Sequence, residues 1–239
     1  MSTPDPAALW RAFEATWPSA ATLRRDGWLL RRGEGGGKRV SAATADAAEP
    51  DLAALDACAI ETGEPPLVLV RNGEDALDAR LAAAGFRLVD PVVIYAAPVA
   101  ALPHQPPRLA AFPLWPPLAV MAEIWAEGGI GPARLRVMER AAAPKTALLG
   151  RTDDHAAGAA FVAAAEGIAM LHALEVRPVY RRRGTARNLM AAAALWAEGQ
   201  GAIHLALAVT RANAPANALY ASLGMISVEH YHYRQKAAP

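Results

Sequence analysis

Apolar and polar positions along the chain change period several times, and each period predicts a different kind of element. In the first hundred residues, apolar positions at helical spacing predict helices over 5–16, 51–62 and 75–84. Shorter apolar runs predict strands over 26–32, 38–44, 67–71 and 86–96. The glycines at 33–37 predict a hairpin turn between the first two of these strands.

Prolines crowd into residues 97–117. Because proline has no backbone N–H and a fixed φ angle, such a segment is unsuited to a helix or a central strand. It is predicted to be a stiff linker. The predicted domains are therefore 1–100 and 118–239, joined by a linker at 101–117.

The second half of the chain alternates strand and helix patterns more clearly. Helical spacing appears over 118–126 and 133–142, on either side of a glycine-rich turn. Alternating residues predict antiparallel strands over 146–151 and 157–165, with a third strand over 168–176. A helix ending near residue 199, a strand over 203–209, a helix over 215–223 and a strand over 227–234 complete the predicted order.

The stretch 171–194 has the strongest chemical signal. An apolar strand ends before Pro178, three arginines and Gly184 form a turn, and an amphipathic helix follows. The first N–H groups of a helix have no partner within the helix, and the helix dipole favours an anion there. The turn therefore predicts a diphosphate site, and a solvated basic loop is the alternative.

Two motifs in this half resemble those of a known family. Residues 181–186, RRRGTA, follow VxP at 176–178 and fit the pattern Arg/Gln-x-x-Gly-x-Gly/Ala. Residues 213–225, NAPANALYASLGM, fit Asn-x-x-Ala-x-x-Leu-Tyr-x-x-x-Gly-Phe except for the final Met225. Together they resemble the acetyl-CoA signature of the GCN5-related N-acetyltransferases (GNAT). The resemblance covers about residues 115–235.

This resemblance implies an acyl-CoA N-acyltransferase fold, which is a mixed, mostly antiparallel central sheet flanked by helices. It implies an N-acetyltransferase that moves an acetyl group from acetyl-CoA to an amine by direct attack in a ternary complex. The alternative is a CoA-binding regulatory or interaction protein without turnover. A weaker alternative is a nucleotide-phosphate binder that uses the basic turn differently.

The resemblance also implies which residues hold acetyl-CoA. Backbone groups around Leu174 and Val176 are expected to pair with the pantetheine arm. Asn213 matches a cofactor contact, and its alternative role is an ordinary helix N-cap. The pyrophosphate is expected to bind the turn formed by Arg181, Arg182, Arg183, Gly184, Thr185, Ala186 and Arg187.

Three residues are the candidate catalytic groups. His172 is the first candidate base because histidine titrates near neutral pH, and its alternative is a hydrogen-bonded core histidine. Glu175 is the second candidate base, and its alternative is pairing with a nearby arginine. Tyr220 is the candidate acid, since the family's tyrosine at this motif position points its hydroxyl at the thioester sulfur. Its alternative is packing in the core.

A second likeness is internal. Residues 81–86, LAAAGF, echo 220–225, YASLGM, and similar elements precede both. The first half is therefore predicted to be a degenerate second copy, which makes a tandem of two GNAT-like domains. It lacks the Arg-x-x-Gly-x-Ala turn and is expected not to bind CoA. A scaffolding or acceptor-shaping role is the natural alternative.

Composition and charge exclude several classes of protein and of site. The net charge of +1 argues against a nucleic-acid coat, and a single cysteine, Cys58, excludes an intrachain disulfide. No apolar run has the length of a membrane span and no signal pattern begins the chain, so a cytoplasmic protein is expected.

His230 and His232 lack a third metal ligand nearby, so no metal is expected. The expected partner is a small-molecule or peptide amine, and the chain is expected to be a monomer or homodimer.

Overall fold

The computed structural model describes residues 2–62, 64–103 and 105–237. Residue 104 of the predicted linker and residues 238–239 of the predicted C-terminal domain lie outside the described residues. The helices are α1 Pro6–Ala15, α2 Lys38–Ser41, α3 Leu52–Thr62, α4 Asp75–Ala83, α5 Ala119–Glu127, α6 Pro132–Arg140, α7 Thr185–Gly199 and α8 Ala214–Ser222. The strands are β1 Ala21–Arg25, β2 Trp28–Arg32, β3 Thr44–Ala45, β4 Leu67–Arg71, β5 Arg87–Pro98, β6 Ala111–Leu114, β7 Lys145–Thr152, β8 His155–Ala165, β9 Ile168–Val176, β10 His204–Thr210 and β11 Ile226–Gln235.

The chain forms two compact units, and neither is continuous in sequence. The first unit contains the residues up to Pro18, Ile94–Val209 and Ala214–Val228. The second unit contains Ser19–Val93, Thr210–Asn213 and the residues from Glu229 onward. This division differs from the predicted boundaries of 1–100, 101–117 and 118–239, because α1 and the predicted linker both belong to the first unit.

The sheet of the first unit is mixed and mostly antiparallel. Its strand order is β5-β10-β9-β8-β7-β6, with β5 counted from Ile94 onward. The four strands β6 to β9 pair antiparallel with their neighbours, whereas β9 and β10 run parallel. Helix α7 connects the two parallel strands, as such a crossover requires. The predicted mixed sheet with flanking helices is confirmed.

Helices cover both faces of this sheet. On one face α7 buries Leu189 and an alanine-rich stripe against side chains such as Leu148 and Val162. On the other face α1 and α5 pack on β8 and β9. The buried residues of α5 include Ile124 and Trp125. Strands β8 and β9 therefore present alternate residues to two different helical layers.

The second unit has its own core, in which Trp28, Val68 and Leu81 are completely buried. A hairpin joins β1 to β2, β3 pairs with β2, and β4 pairs antiparallel with β11. Among residues 2–62, 64–103 and 105–237, no helix combines the length and apolar composition that a membrane span requires.

Two local predictions are wrong. The hairpin turn lies at Asp26–Gly27, where both residues have positive φ angles, and not at the glycine run. Asp-Gly with two positive φ angles is the turn that suits a two-residue hairpin. The predicted strand at 38–44 is the single helical turn α2 followed by β3. Within the predicted linker, β6 pairs with β7 at the edge of the sheet, where a proline such as Pro113 is tolerated.

Candidate active site

The turn between β9 and α7 leaves the start of the helix open. Gly184 is the N-cap of α7, with a left-handed φ of 87° and no side-chain capping hydrogen bond. The first backbone bond of the helix runs from the Asn188 N–H to the Gly184 carbonyl oxygen. A Cβ atom built on Gly184 would meet no described atom within 4 Å. Unpaired amides at a helix N-terminus, with free space in front of them, form an anion site.

Four arginines surround this turn, and three of them have partners. Arg181 pairs with Glu175 at 3.1 Å, and Arg183 pairs with Asp153. Arg187 donates to the Ser222 hydroxyl at 3.1 Å. Arg182 is exposed and has a positive φ of 62°. The surface of the turn is therefore positive, but part of its charge is already neutralised by the two carboxylates.

The strands β9 and β10 part next to the turn. Their parallel pairing ends at Leu171 opposite Leu207, although β9 continues to Val176. On its other side β9 remains paired with β8 as far as Gly158 opposite Val176. The β9 edge around Leu174 and Val176 is therefore not covered by β10, and an extended ligand arm has room to pair there as a strand.

Side chains of the chain itself meet this open edge. The Val176 N–H donates to Glu175 Oε1 at 3.3 Å, and Arg181 Nε donates to the Val176 carbonyl oxygen at 3.0 Å. The Glu175–Arg181 ion pair thus satisfies both backbone groups of Val176. A ligand that paired with Val176 would have to take over these hydrogen bonds.

A β-bulge in β9 changes which side chains share a face. Ala173 has a positive φ of 51°, and the β8–β9 register shifts between the pairs Phe161–His172 and Ala159–Glu175. Because Phe161 and Ala159 are two residues apart, their partners His172 and Glu175 lie on one face of the sheet. In a regular strand, residues three apart would lie on opposite faces.

A buried tryptophan of α5 holds this bulge in place. The indole N–H of Trp125 donates to the Ala173 carbonyl oxygen at 2.8 Å, and Trp125 is completely buried. Glu127, the last residue of α5, pairs with Arg177 at 2.8 Å. No sequence signal marks this bulge, because an alanine, and not a glycine, adopts the left-handed conformation.

His172 lies in an aromatic pocket of the first unit. It is only 7% exposed, and its ring centroid lies 5.0 Å from that of Trp17 and 6.1 Å from that of Phe161. His172 Nε2 is 3.0 Å from the Thr16 hydroxyl oxygen, whose own proton is donated to the Ala12 carbonyl. Nε2 therefore carries a proton and donates it to Thr16. This is the environment of a hydrogen-bonded core histidine.

Glu175 lies between the uncovered edge of β9 and the loop that joins α5 to α6. Its side chain is 22% exposed. A Cβ built on Gly128 would lie 2.5 Å from Glu175 Cγ and 2.7 Å from Oε2, so the carboxylate rests directly on the Gly128 backbone. In contrast to His172, Glu175 is accessible from the surface, and it lies against the loop that joins α5 to α6.

Tyr220 lies on α8 with its ring in the core. It is 7% exposed, and its ring centroid is 6.0 Å from that of Tyr95. Burial raises the pKa of the Tyr220 phenol to about 12, so the phenol stays neutral. No hydrogen bond of the Tyr220 side chain is found among residues 2–62, 64–103 and 105–237. The phenol therefore keeps its proton available for a ligand atom.

The remaining residues predicted to bind the cofactor differ in how far they are exposed. Thr185 is buried, and its hydroxyl is 2.7 Å from that of Thr152, so its side chain faces the protein and only its backbone faces the turn. Ala186 is half-buried. Asn213 is exposed directly before α8, and its N–H donates to the Thr210 carbonyl. Asn213 belongs to the second unit, so its role as a cofactor contact stays a prediction.

His232, near the C-terminus, pairs with a carboxylate of α4. His232 Nε2 lies 2.6 Å from Asp78, which also accepts two hydrogen bonds from Arg234. In the described part of the chain, no cluster of three or more His, Cys, Asp or Glu side chains is suited to hold a metal ion.

Similar proteins share this architecture. Residues 118–225 match the model of the Acetyltransferase (GNAT) family. No curated protein matches the chain. A GCN5-related N-acetyltransferase from Kribbella flavida is similar with a TM-score of 0.71 and 15% identity, over 98% of this chain and 94% of that chain. A tandem GNAT protein from the clavulanic acid biosynthesis pathway is similar with a TM-score of 0.60 and 13% identity, over 100% of this chain and 90% of that chain. The predicted acyl-CoA N-acyltransferase fold, with its mixed, mostly antiparallel sheet, is thereby confirmed.

Proposed function

Because residues 118–225 match the model of the Acetyltransferase (GNAT) family, we propose that the protein transfers an acetyl group from acetyl-CoA to an amine by direct attack in a ternary complex. The observation that carries this proposal is the parting of β9 and β10 beside the uncapped N-terminus of α7. An open strand edge suits the amide-bearing pantetheine arm, and an uncapped helix N-terminus suits the pyrophosphate.

The residues of the turn fit acetyl-CoA, which supplies the acetyl group in activated form as a thioester. The amides that follow Gly184 are proposed to hold the pyrophosphate, and Arg182 adds a positive charge that has no partner among the described residues. Leu174 and Val176 are proposed to pair with the pantetheine arm. Pairing at Val176 requires the Glu175–Arg181 ion pair to release the backbone groups that it now occupies.

The acceptor amine must lose a proton before it attacks. A lysine-like amine has a pKa of about 10.4, so neutralising it at pH 7 costs about 4 to 5 kcal/mol. We propose Glu175 as the group that accepts this proton, since it faces the α5–α6 loop at the surface. His172 is less suited, because its Nε2 already donates to Thr16 and its ring is enclosed by Trp17 and Phe161.

Tyr220 is proposed to assist the departing thiolate by donating a hydrogen bond. Complete transfer of its proton is unfavourable, because its pKa of about 12 exceeds the value of about 8.5 for an ordinary thiol, a difference of about 5 kcal/mol. The neutral phenol therefore stabilises the developing negative charge by hydrogen bonding.

Direct attack is proposed because the chain offers no suitable thiol nucleophile. Cys58 is the only cysteine, and burial raises the pKa of its thiol above the ordinary value, which lowers its reactive thiolate fraction. Mass spectrometry of the protein with acetyl-CoA but without acceptor is expected to find no acetylated protein. A stable acetyl-enzyme would contradict direct transfer.

The test of the proposed function is a thiol-release assay with acetyl-CoA and a panel of small amines, amino acids and peptide N-termini. We expect thiol release that depends on at least one amine. CoA binding without thiol release for any amine class would favour a CoA-binding protein without turnover.

A further inference from the structure

Two glycines lie side by side on neighbouring strands, beneath the first turn of α7. Gly150 of β7 is paired with Gly158 of β8. A Cβ built on Gly150 would lie 3.1 Å from both Leu189 Cγ and Thr185 Cγ2. A Cβ built on Gly158 would lie 2.8 Å from the Glu175 carbonyl oxygen and 3.2 Å from both Leu189 Cδ1 and Thr185 Cγ2. Helix α7 therefore lies so close to the sheet that a side chain at either position would displace its neighbours.

Gly150 and Gly158 together form a recess in the sheet surface. This recess lies only beneath the N-terminal end of α7, next to the turn. Along the same face of β8, the side chains grow from Gly158 to Ala160 to Val162, and in β7 the next residue on this face is Leu148. The later turns of α7 thus pack on larger side chains than its first turn does. The smallest residues lie where the amides of the turn must be placed.

Thr185 connects the recess to the turn. It directly follows Gly184, is 1% exposed, and has its hydroxyl 2.7 Å from that of Thr152. Its methyl group is the atom nearest to both glycine positions from the first turn of α7. A displacement of Thr185 away from the sheet would therefore also move the backbone amides beside it.

We propose that Gly150 and Gly158 are positioning residues for cofactor binding, which set the depth of the first turn of α7 and so aim its amides at the pyrophosphate. This proposal rests on the proposed function. Neither glycine contacts the ligand, and their effect is transmitted through Thr185 and Leu189. Adding one methyl group at position 150 forces these neighbours to move by a few tenths of an ångström.

The experiment compares Gly150→Ala with the unaltered protein by calorimetric titration of CoA. We expect about tenfold weaker CoA binding, which corresponds to the loss of about one charge-assisted hydrogen bond. The transfer rate with S-acetylpantetheine, which has no phosphate groups, is expected to be unchanged. Gly199→Ala is the matched control, since it lies at the far end of α7 and a Cβ there meets nothing within 4 Å.

A rescue variant separates positioning from general damage to the core. A Cβ at position 150 would meet two groups, Thr185 Cγ2 and Leu189 Cγ. Thr185→Ser removes the first of them, leaves room for the first turn of α7 to stay in place, and keeps the hydroxyl that contacts Thr152, so the double variant conserves volume. In the Thr185→Ser background, Gly150→Ala is expected to weaken CoA binding by less than about threefold. If Gly150→Ala alone does not fold, this double variant carries the test.

Three outcomes would overturn the proposal. One is a folded Gly150→Ala variant that binds CoA within about twofold of the unaltered protein. The second is an equal loss of the rate with S-acetylpantetheine, and the third is a folded double variant that remains weak. Absence of CoA binding by the unaltered protein would instead refute the proposed function, so the two failures are distinguishable.

Discussion

Replacement of Tyr220 by phenylalanine tests whether the buried phenol acts in the reaction or only in packing. The ring packs in the core beside Tyr95, and the hydroxyl has no hydrogen bond to any other described residue. Tyr220→Phe therefore removes no hydrogen bond within the described protein. The free energy of unfolding is expected to change by less than about 0.5 kcal/mol.

The expected effect on the reaction is much larger. A hydrogen bond to a charged partner contributes about 1.5 to 3 kcal/mol, so its loss at the departing thiolate lowers kcat by about 10- to 100-fold. The affinity for CoA should not change, because this bond strengthens only as charge develops on the sulfur. Since burial raises the pKa of Tyr220 to about 12, this residue should add no descending limb to the pH profile below about pH 10.

The assay is steady-state thiol release with a saturating amine, combined with calorimetric CoA binding and urea unfolding. A kcat within about twofold of the unaltered protein would refute a role for the phenol in the reaction. A large fall in stability together with kcat would show that the residue acts through packing.

Three further predictions concern other parts of the molecule. Asp78→Asn should lower stability near neutral pH by about 1 kcal/mol, because hydrogen bonds from Arg234 lower the Asp78 pKa to about 2. This stabilisation is present above the unfolded-state pKa of about 4 and is lost as the pH falls towards 2, so urea unfolding at several pH values should show the two proteins converging in acid. Trp125→Phe should cost about 1 to 3 kcal/mol in urea unfolding, because it leaves the Ala173 carbonyl without its donor. Glu175→Gln should lower kcat/KM for the amine by about 100-fold in the thiol-release assay at saturating acetyl-CoA.

Matched variants control these three predictions. Asp75→Asn lies on the same helix as Asp78 but is exposed, and its acid sensitivity should equal that of the unaltered protein. Trp196→Phe removes an indole with no hydrogen bond within the described residues, so a loss as large as that of Trp125→Phe would contradict the bulge argument. His172→Gln should reduce stability more than kcat, and the reverse order would restore His172 as the base.

The strand, turn and helix of the site were predictable from the sequence because each signal is local. An apolar run, a proline, a glycine and a helical stripe all occur within residues 171–194. The environment of His172 was not predictable, because its partner Thr16 lies 156 residues away along the chain. The bulge at Ala173, which brings His172 and Glu175 to one face, depends on the fit of Trp125 and has no residue signature.

The boundaries of the two units could not be predicted from local sequence patterns either. Helix α1 was predicted as a helix, but its place on β8 and β9 depends on contacts with residues more than a hundred positions away. Strand β6 lies within the proline-rich segment because an edge strand needs pairing on one side only. The hairpin at Asp26–Gly27, in contrast, carried a local Asp-Gly signal that favours a two-residue turn.

The central claim is that the amides following Gly184 bind the pyrophosphate of CoA. The most direct measurement is calorimetric titration of CoA into Gly184→Val and Gly201→Val. Both glycines have positive φ and free space around a Cβ, and they flank opposite ends of α7, so each substitution should cost a similar strain of about 1 to 2 kcal/mol. We predict that Gly184→Val weakens CoA binding by at least about 100-fold while Gly201→Val leaves it unchanged. Equal CoA affinity in the two variants would contradict the account.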